Sequence, residues 1–299
     1  MMAFAMFAPT RPPRRLARHA INRCGAWMTW SPSTRRFFEA YGEVLRKRPA
    51  QQWVRGCAPY GLTYTLALAS APSQRFRDEV LALARSLLAL RVRSRIMLLR
   101  DLLAADVDRA CVHGFLAWTR GALVALQGDR RAALYTPPSP DRSSDNEFLL
   151  HADLFAAERV LLVFDDVPCD GSGRALLLPI ARAASALAKT SMPAKERRVA
   201  LGLVSGAWVR DAFDRLHSLL YGTRRRWHRE VAKRLNAEAV SVPFERGEGY
   251  LLHDRQWLHG RERVTGPVRI FRFHRLIHSL PRLHPRLYPG VGRVRLACP

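Results

Sequence analysis

The sequence predicts an α+β protein, and three features of its 299 residues favour that class. Between residue 73 and about residue 103, apolar side chains recur at the spacing of one or two amphipathic helices. Residues 148–155 and 249–261 instead read as strands, because apolar residues surround the histidines in both segments. A hydrophobic content of 48% lets a chain of this length bury a sizeable core, as one large domain with appendages or as two domains.

The composition divides the chain into four segments. Residues 1–30 carry arginines but no acidic residue, and we interpret them as a basic, disordered N-terminal extension. A transit peptide is the alternative, although the prolines and the scarcity of serine weigh against it. Residues 31–135 are predicted to form a mainly helical buttress leading into the core. Residues 136–290 hold the β-core, with a helical insertion near 205–240, and residues 291–299 form a C-terminal tail.

Shorter elements are predicted inside these segments. Residues 115–134 are compatible with a helix or with strands. Residues 136–147 are rich in proline and serine and form a candidate lid that leads into the first histidine strand. The remaining expected elements are apolar strands at 159–164 and 175–179, helical structure at 211–236, and a final β-hairpin at 249–274.

The net charge of +24 leaves two explanations open. A basic surface attracts nucleic acid, anionic lipid or acidic partners. However, the excess is almost entirely arginine, spread along the chain, and the lysines are only Lys47, Lys189, Lys195 and Lys233. An arginine bias with abundant alanine, leucine and proline also arises from a GC-rich coding sequence, and we favour this second explanation.

The cysteines and the apolar runs indicate the compartment. The five cysteines are odd in number, widely spaced and contain no CxxC pair, which argues against a disulfide framework or a zinc site. No apolar run reaches the 18 or so residues that a membrane span requires. We therefore expect a cytoplasmic protein without a membrane span, and the oligomeric state cannot be read from the sequence.

Three side chains form a candidate metal site. His151 and Asp153 are two residues apart in a predicted strand, so both should project from the same face, roughly 6–7 Å apart at their Cα atoms. His259 lies in the second histidine strand and supplies another imidazole. Two histidines and one carboxylate make the facial triad of non-haem Fe(II) oxygenases, which leaves coordination positions open for substrate and O2.

Residues 148–275 resemble a known superfamily, and four features carry the resemblance. They are His151-Ala152-Asp153, the turn at 168–173, the segment Leu258-His259-Gly260-Arg261, and the arginine pair Arg269 and Arg272. Together they resemble the Fe(II)/2-oxoglutarate-dependent dioxygenases, in particular the branch that is similar to taurine dioxygenase and clavaminate synthase. This resemblance implies a double-stranded β-helix (jelly-roll) core buttressed by helices, with iron at its mouth.

The resemblance also implies roles for single residues. His151, Asp153 and His259 match the iron ligands, and either Arg269 or Arg272 matches the arginine that clamps the remote carboxylate of 2-oxoglutarate. A guanidinium suits this task because it donates two parallel hydrogen bonds to a carboxylate. Strand parity allows only one of the two arginines to face the interior, and we prefer Arg269. The threonine that the branch often has after its glycine turn is missing here.

The implied activity is hydroxylation of an unactivated C–H bond, with Fe(II), 2-oxoglutarate and O2 consumed to give succinate and CO2. The expected partner is a small amino-acid-like or secondary-metabolite substrate, with an anionic group hinted at by Arg255, Arg261 and Arg272. Nucleic acid is a possible substrate that we do not favour, because the demethylase pattern Arg-x-Asn-x-Thr-x-Arg is missing. A non-catalytic jelly-roll binding protein is the third alternative.

His253 and His228 are two further candidate ligands in the sequence. His253 shares strand parity with His259 if no irregularity intervenes, and we interpret it as a non-ligand. His228 and Glu230 form an HxE pattern in a predicted helix, where the two side chains diverge by about 200°, so this pair should not chelate a metal.

Overall fold

The computed structural model describes residues 25–29, 32–47, 52–54, 63–65, 68–89, 96–100, 109–127, 134–136, 148–152, 159–168, 170–204, 212–253, 256–265 and 272–278. The helices are α1 (Pro32–Arg46), α2 (Gln74–Ala89), α3 (Arg109–Gln127), α4 (Ile180–Ala188), α5 (Ala194–Val204), α6 (Ala212–Tyr221) and α7 (Trp227–Glu238). The strands are β1 (Gly25–Thr29), β2 (Gln52–Val54), β3 (Thr63–Thr65), β4 (Ile96–Arg100), β5 (Leu134–Thr136), β6 (Phe148–His151), β7 (Arg159–Asp166), β8 (Ala175–Pro179), β9 (Val240–Val242), β10 (Gly249–Leu252), β11 (Trp257–Arg261) and β12 (Arg272–His278).

Most of the described strands belong to two sheets. One sheet has six strands in the order β1-β4-β10-β7-β12-β5, and the other has four in the order β6-β11-β8-β9. Strands β2 and β3 pair separately. The described pairings are antiparallel except the one between β1 and β4. The structure is therefore a mixture of helices and mainly antiparallel sheet, which confirms the α+β class.

The two sheets share an apolar core that lies between them. Leu98, Leu162 and Tyr250 enter it from the six-stranded sheet, and Leu177 and Trp257 enter it from the four-stranded sheet. Alternate residues of these strands point the opposite way, towards helices. Because both faces of β7 and β8 are buried, their sequences are nearly continuous apolar runs rather than alternating ones.

Helices cover the outer face of each sheet. Helices α1, α2 and α3 pack on the six-stranded sheet, where Phe76 and Phe115 cluster with Leu161 and Val163 of β7. Helices α4 to α7 pack on the four-stranded sheet in a cluster that includes Leu258 of β11. The layers therefore run helix, sheet, sheet, helix. Among the helices of the described residues, none combines the length and apolar character needed to cross a bilayer.

Several predicted elements are confirmed and two are wrong. Strands at 159–164 and 175–179 and helical structure at 211–236 are confirmed, and 115–127 is helical. The helical interpretation of 73–103 is wrong at 96–100, which form the strand β4. An apolar run this short is compatible with a buried strand as well as with a helix. The pairing of residues 96–100 with β1 and β10 makes this segment a strand.

The predicted hairpin at 249–274 is the second error. The segment 249–261 is two strands, because β10 belongs to the six-stranded sheet and β11 to the four-stranded sheet. Strand β12 returns to the six-stranded sheet beside β7, so it does not pair with β11. The chain therefore passes from one sheet to the other twice between β10 and β12. Both faces of β10 and of β11 are buried. Residues 25–29, which the sequence assigned to the N-terminal extension, form β1 at one edge of that sheet.

The close approach of α3 to α1 gives a stability prediction. A Cβ added to Gly114 would lie 2.0 Å from the carbonyl oxygen of Leu45, which is backbone and cannot rotate away. We expect Gly114→Ala to lower the free energy of unfolding by about 2–3 kcal/mol in chemical denaturation, as overpacked cores do. Gly202→Ala in α5 is the control, because its added Cβ meets nothing within 4 Å. It should be neutral or stabilising by up to about 1 kcal/mol, and equal stability of both variants would contradict the tight helix contact.

Candidate metal centre

His151 and His259 lie side by side in the four-stranded sheet. Strands β6 and β11 are antiparallel neighbours, and His259 is directly opposite His151. The centroids of the two imidazole rings are 4.4 Å apart, and the ring planes are inclined by 32°. Each side chain is only 3% exposed. Strand pairing thus brings two of the three predicted ligands together across more than a hundred residues of chain.

Both imidazoles face the space between the sheets. On β11, His259 alternates with Leu258, which packs in the helix-covered outer cluster. On β6, His151 lies between Leu150 and Ala152, which belong to the same outer cluster. Since successive strand residues point to opposite faces, the two rings project from the inner face. They are polar groups at the edge of an apolar core.

Each histidine uses its Nδ1 atom for a hydrogen bond. The Nδ1 of His151 lies 2.8 Å from the carbonyl oxygen of Leu149. A carbonyl only accepts, so this Nδ1 carries the proton and the lone pair is on Nε2. The Nδ1 of His259 lies 2.8 Å from the hydroxyl of Tyr250, which accepts the Nδ1 proton when Nε2 binds a metal. Because Nδ1 of each ring is engaged in a hydrogen bond, Nε2 is the nitrogen through which each histidine could bind a metal.

Tyr250 reaches His259 from the opposite sheet. It belongs to β10 of the six-stranded sheet and is 2% exposed. Its ring packs against Phe164 and Phe244, which hold the phenol in position. Sequence reasoning missed this residue, because no spacing rule connects residues on two different sheets. An apolar strand that contains one tyrosine has the same sequence pattern whether the tyrosine hydroxyl contacts a histidine or solvent.

The remaining predicted site residues are only partly described. Asp153, Arg269 and the candidate lid residues 137–147 lie outside the described residues. Arg272 is the first residue of β12, and its backbone lies opposite Asp166 at the end of β7. Within the part of the chain that the structure describes, no group of three or more His, Cys, Asp or Glu residues could hold a metal. The carboxylate ligand therefore stays the predicted Asp153.

Arg261 is a buried cation beside the histidine pair. It lies two residues after His259 on β11 and is 7% exposed. Burial lowers the pKa of its guanidinium to about 10, because removal from water disfavours the charged form. At neutral pH the side chain still carries its positive charge.

His228 and His253 are the two further histidines that the sequence analysis singles out. His228 and Glu230 lie on α7, as expected, with His228 buried and Glu230 exposed. The Nδ1 of His228 accepts a hydrogen bond from the backbone N–H of Arg225, while burial and then the charge of Arg225 lower its pKa. Glu230 instead accepts hydrogen bonds from the backbone N–H and hydroxyl of Ser191. His253 follows the last residue of β10, where the chain leaves the strand, so its predicted parity with His259 does not apply.

The turn between β7 and β8 is held by its own polar groups. The hydroxyl of Ser172 donates to the carboxylate of Asp170 and accepts a hydrogen bond from the backbone N–H of Thr265. The Ser172 hydrogen bonds also lower the pKa of Asp170. The N–H of Gly173 donates to the carbonyl of Arg263. These bonds attach the turn to the segment that follows β11, so the serine hydroxyl serves the shape of the turn.

No family model and no curated protein matches the chain. Among solved structures, it is similar to an asparagine oxygenase in complex with Fe(II), 2S,3S-3-hydroxyasparagine and succinate, with 15% identity, 85% of this chain and 93% of that chain covered, and a TM-score of 0.48. The non-heme iron oxygenase OrfP in complex with Fe shares 13% identity, with 87% and 95% covered and a TM-score of 0.42. PvcB from Pseudomonas aeruginosa shares 15% identity, with 77% and 94% covered and a TM-score of 0.34. PvcB is described as an Fe, alpha-ketoglutarate dependent oxygenase.

The hydrogen bond from Tyr250 gives a prediction for metal affinity. In Tyr250→Phe the Nδ1–H of His259 loses its acceptor, so the metal-binding tautomer is less favoured. We expect Co(II) affinity, measured by competition with a chelator, to fall by about 10- to 100-fold.

Tyr221→Phe is the matched control for this variant. It also removes a hydroxyl, which donates to the carbonyl of Leu150 at 2.7 Å, but on the outer side of β6. Its Co(II) affinity should stay within about twofold of the unmodified protein, as its hydroxyl contacts no imidazole. Equal losses in the two variants would mean that Tyr250 acts through general stability alone.

Proposed function

We propose that the protein is an Fe(II)- and 2-oxoglutarate-dependent oxygenase that hydroxylates an unactivated C–H bond of a small, amino-acid-like or secondary-metabolite substrate. The observation that carries the proposal is the buried pair His151 and His259, with both Nδ1 atoms engaged in hydrogen bonds. In the same proposal, the two facing sheets close into a double-stranded β-helix. Residues 136–290 form the oxygenase core, residues 31–135 form the helical buttress before it, and residues 291–299 form a short tail.

The donor set fits iron. Two imidazoles meet on the inner face, and Asp153 follows His151 by two residues in the sequence. Two histidines and one carboxylate hold Fe(II) on one side of an octahedron and leave three positions open. Bound iron supplies the oxidation, in which 2-oxoglutarate and O2 are converted to succinate and CO2 as the substrate is hydroxylated.

The residues of this chain prepare the site for that reaction. Leu149 and Tyr250 orient the two imidazoles through hydrogen bonds at Nδ1. Trp257, which is 1% exposed and on the same face of β11 as His259, belongs to the apolar core that keeps water away. Either Arg269 or Arg272 clamps the remote carboxylate of 2-oxoglutarate, with Arg269 preferred. Exclusion of water strengthens each of these electrostatic contacts.

An anaerobic titration tests the proposal directly. The protein with Fe(II) and 2-oxoglutarate should develop the visible charge-transfer band expected when both oxygens of the 2-oxo acid chelate iron. Under air, succinate release should rise with at least one compound of a panel of free amino acids that includes asparagine and arginine. Failure of the unmodified protein to form the band at saturating Fe(II) and 2-oxoglutarate would overturn the proposal.

Ligand substitutions should remove metal binding. In His151→Ala, Asp153→Ala and His259→Ala, we expect metal affinity to fall by more than about 100-fold, because changes outside the ligand set already cost about 10–100-fold. The readout is Fe(II) or Co(II) affinity together with the band. His217→Ala is the control, as it removes an imidazole that contacts Tyr221 on helix α6. Near-normal metal binding in any of the three ligand variants would exclude that residue as a ligand.

A further inference from the structure

The outer surface of the helical layer α1 to α3 carries charges of both signs. Exposed arginines there are interspersed with the acidic residues of α1 and α2, which are Glu39, Glu43, Asp78 and Glu79. One of these carboxylates, that of Glu79, accepts a 3.0 Å hydrogen bond from the guanidinium of Arg75 in an ion pair. This layer therefore presents mixed charges to solvent.

The layer α4 to α7 differs, because basic residues dominate one region of its surface. These residues are all exposed, and they lie directly after α4, directly before α7 or on α7 itself. We call them the basic patch: Lys189, Arg224, Arg225, Arg226, Arg229 and Lys233. Among the described side chains of this layer the acidic ones are Glu196, Glu230 and Glu238, and of these Glu230 is the exposed one.

Hydrogen bonds at Glu230 bring the two parts of the basic patch together. The backbone N–H and the hydroxyl of Ser191 both donate to the carboxylate of Glu230, in the first turn of α7. Because Lys189 is two residues before Ser191, the end of α4 lies beside the start of α7. The hydrogen bonds from Ser191, and then the charge of Arg234, lower the pKa of Glu230. This carboxylate is therefore already engaged at the margin of the patch.

Three cations of the basic patch form a ridge along α7. Arg226 has helical backbone angles, and Arg229 and Lys233 follow it at spacings of three and four residues. Side chains at these spacings lie on one side of a helix, with Cβ atoms about 5–6 Å apart. At 1.5 Å per residue the ridge is about 10 Å long. Like charges at such spacings destabilise a helix, so the stability of α7 does not explain the ridge.

A bias of the coding sequence does not explain the basic patch either. Such a bias raises the arginine content of every surface alike, whereas the two helical layers of this chain differ in charge. It also replaces lysine by arginine, yet Lys189, Lys195 and Lys233 all lie on the layer α4 to α7. An asymmetric distribution of charge is instead typical of a protein that binds a polyanion.

The chemistry of the basic patch favours the phosphates of nucleic acid over a lipid surface. A guanidinium donates paired hydrogen bonds to phosphate oxygens. Over the length of the ridge, about 10 Å, a DNA duplex carries about six negative charges. A helix that lies on a membrane inserts apolar side chains, whereas the exposed residues of α7 are charged apart from Ala237.

We propose that the basic patch binds the phosphate backbone of double-stranded nucleic acid, independently of base sequence. The contact is electrostatic and involves no covalent step. It is separate from the candidate metal centre, because α7 packs on the outer face of the four-stranded sheet and the two imidazoles project from the inner face. The proposal therefore does not depend on the function proposed above.

The experiment measures binding of the full chain to a labelled DNA duplex of mixed sequence, by fluorescence anisotropy at several NaCl concentrations. A duplex of about 20 base pairs is longer than the patch. Each phosphate contact adds about one to the slope of log affinity against log salt. In the combined variant Arg226→Gln, Arg229→Gln and Lys233→Gln, the slope should fall by about three. Affinity at low salt should fall by at least about tenfold.

A second combined variant is the matched control. Arg36→Gln, Arg77→Gln and Arg85→Gln remove the same charge from exposed positions on α1 and α2. Its slope should change by less than about one, because these residues lie on the other helical layer. Co(II) affinity should be unchanged in both combined variants, which checks that they fold. If the patch variant does not fold, Arg229→Gln alone should lower the slope by about one.

Three outcomes would overturn the proposal. The first is failure of the unmodified protein to bind the duplex, or a slope that the patch variant leaves unchanged. The second is an equal loss of slope in the two combined variants, because the charge would then act regardless of its position. The third is binding of polyglutamate, or of vesicles containing phosphatidylglycerol, that is as tight as duplex binding and is weakened by the same patch variant. That result would identify an acidic protein or a membrane as the partner.

Discussion

The hydrogen bond between Tyr250 and His259 connects the two sheets at the point where the candidate metal centre lies. Its two partners come from β10 and β11, which are consecutive in the chain but belong to different sheets. The bond needs the sheets at one separation and one relative position, because phenol and imidazole meet only over a narrow range of distance. The packing of Tyr250 against Phe164 and Phe244 requires the same separation and relative position of the two sheets. The fold and the orientation of His259 therefore depend on each other.

The described residues between the sheets include a large apolar cluster to which Tyr250 belongs. His151, His259 and Arg261 are all buried there, and each polar group in a low-dielectric interior requires compensation. The Leu149 carbonyl and the Tyr250 hydroxyl supply part of it for the two imidazoles. A structural core of this size would be more stable with apolar side chains at such positions. The two imidazoles and the guanidinium are therefore gathered on one patch of the inner face, on the neighbouring strands β6 and β11.

The correctly predicted elements are those whose own residues leave few alternative secondary structures. The apolar runs of β7 and β8 were recognised because a strand buried on both faces has few alternatives when turn residues bound it. The stripe from Phe76 to Val80 likewise predicted α2. The strand β4 is predicted wrongly as helical, since an apolar run of four residues has no period of its own, and only its place between β1 and β10 makes it a strand. The hairpin at 249–274 failed for a similar reason, as sequence proximity favours pairing but β10, β11 and β12 exchange sheets.

The sequence by itself determined which residue types stand two apart on a strand and which segments are apolar enough to be buried. The period of two along a strand is a local property, so the shared face of His151 and Asp153 could be predicted without knowing any neighbour. Only the tertiary structure decided that His259 lies opposite His151, that Tyr250 reaches across from the other sheet, and that Arg261 points inward. These facts depend on which strands pair and in which register, and that choice is made by burial of the whole core rather than by any single segment.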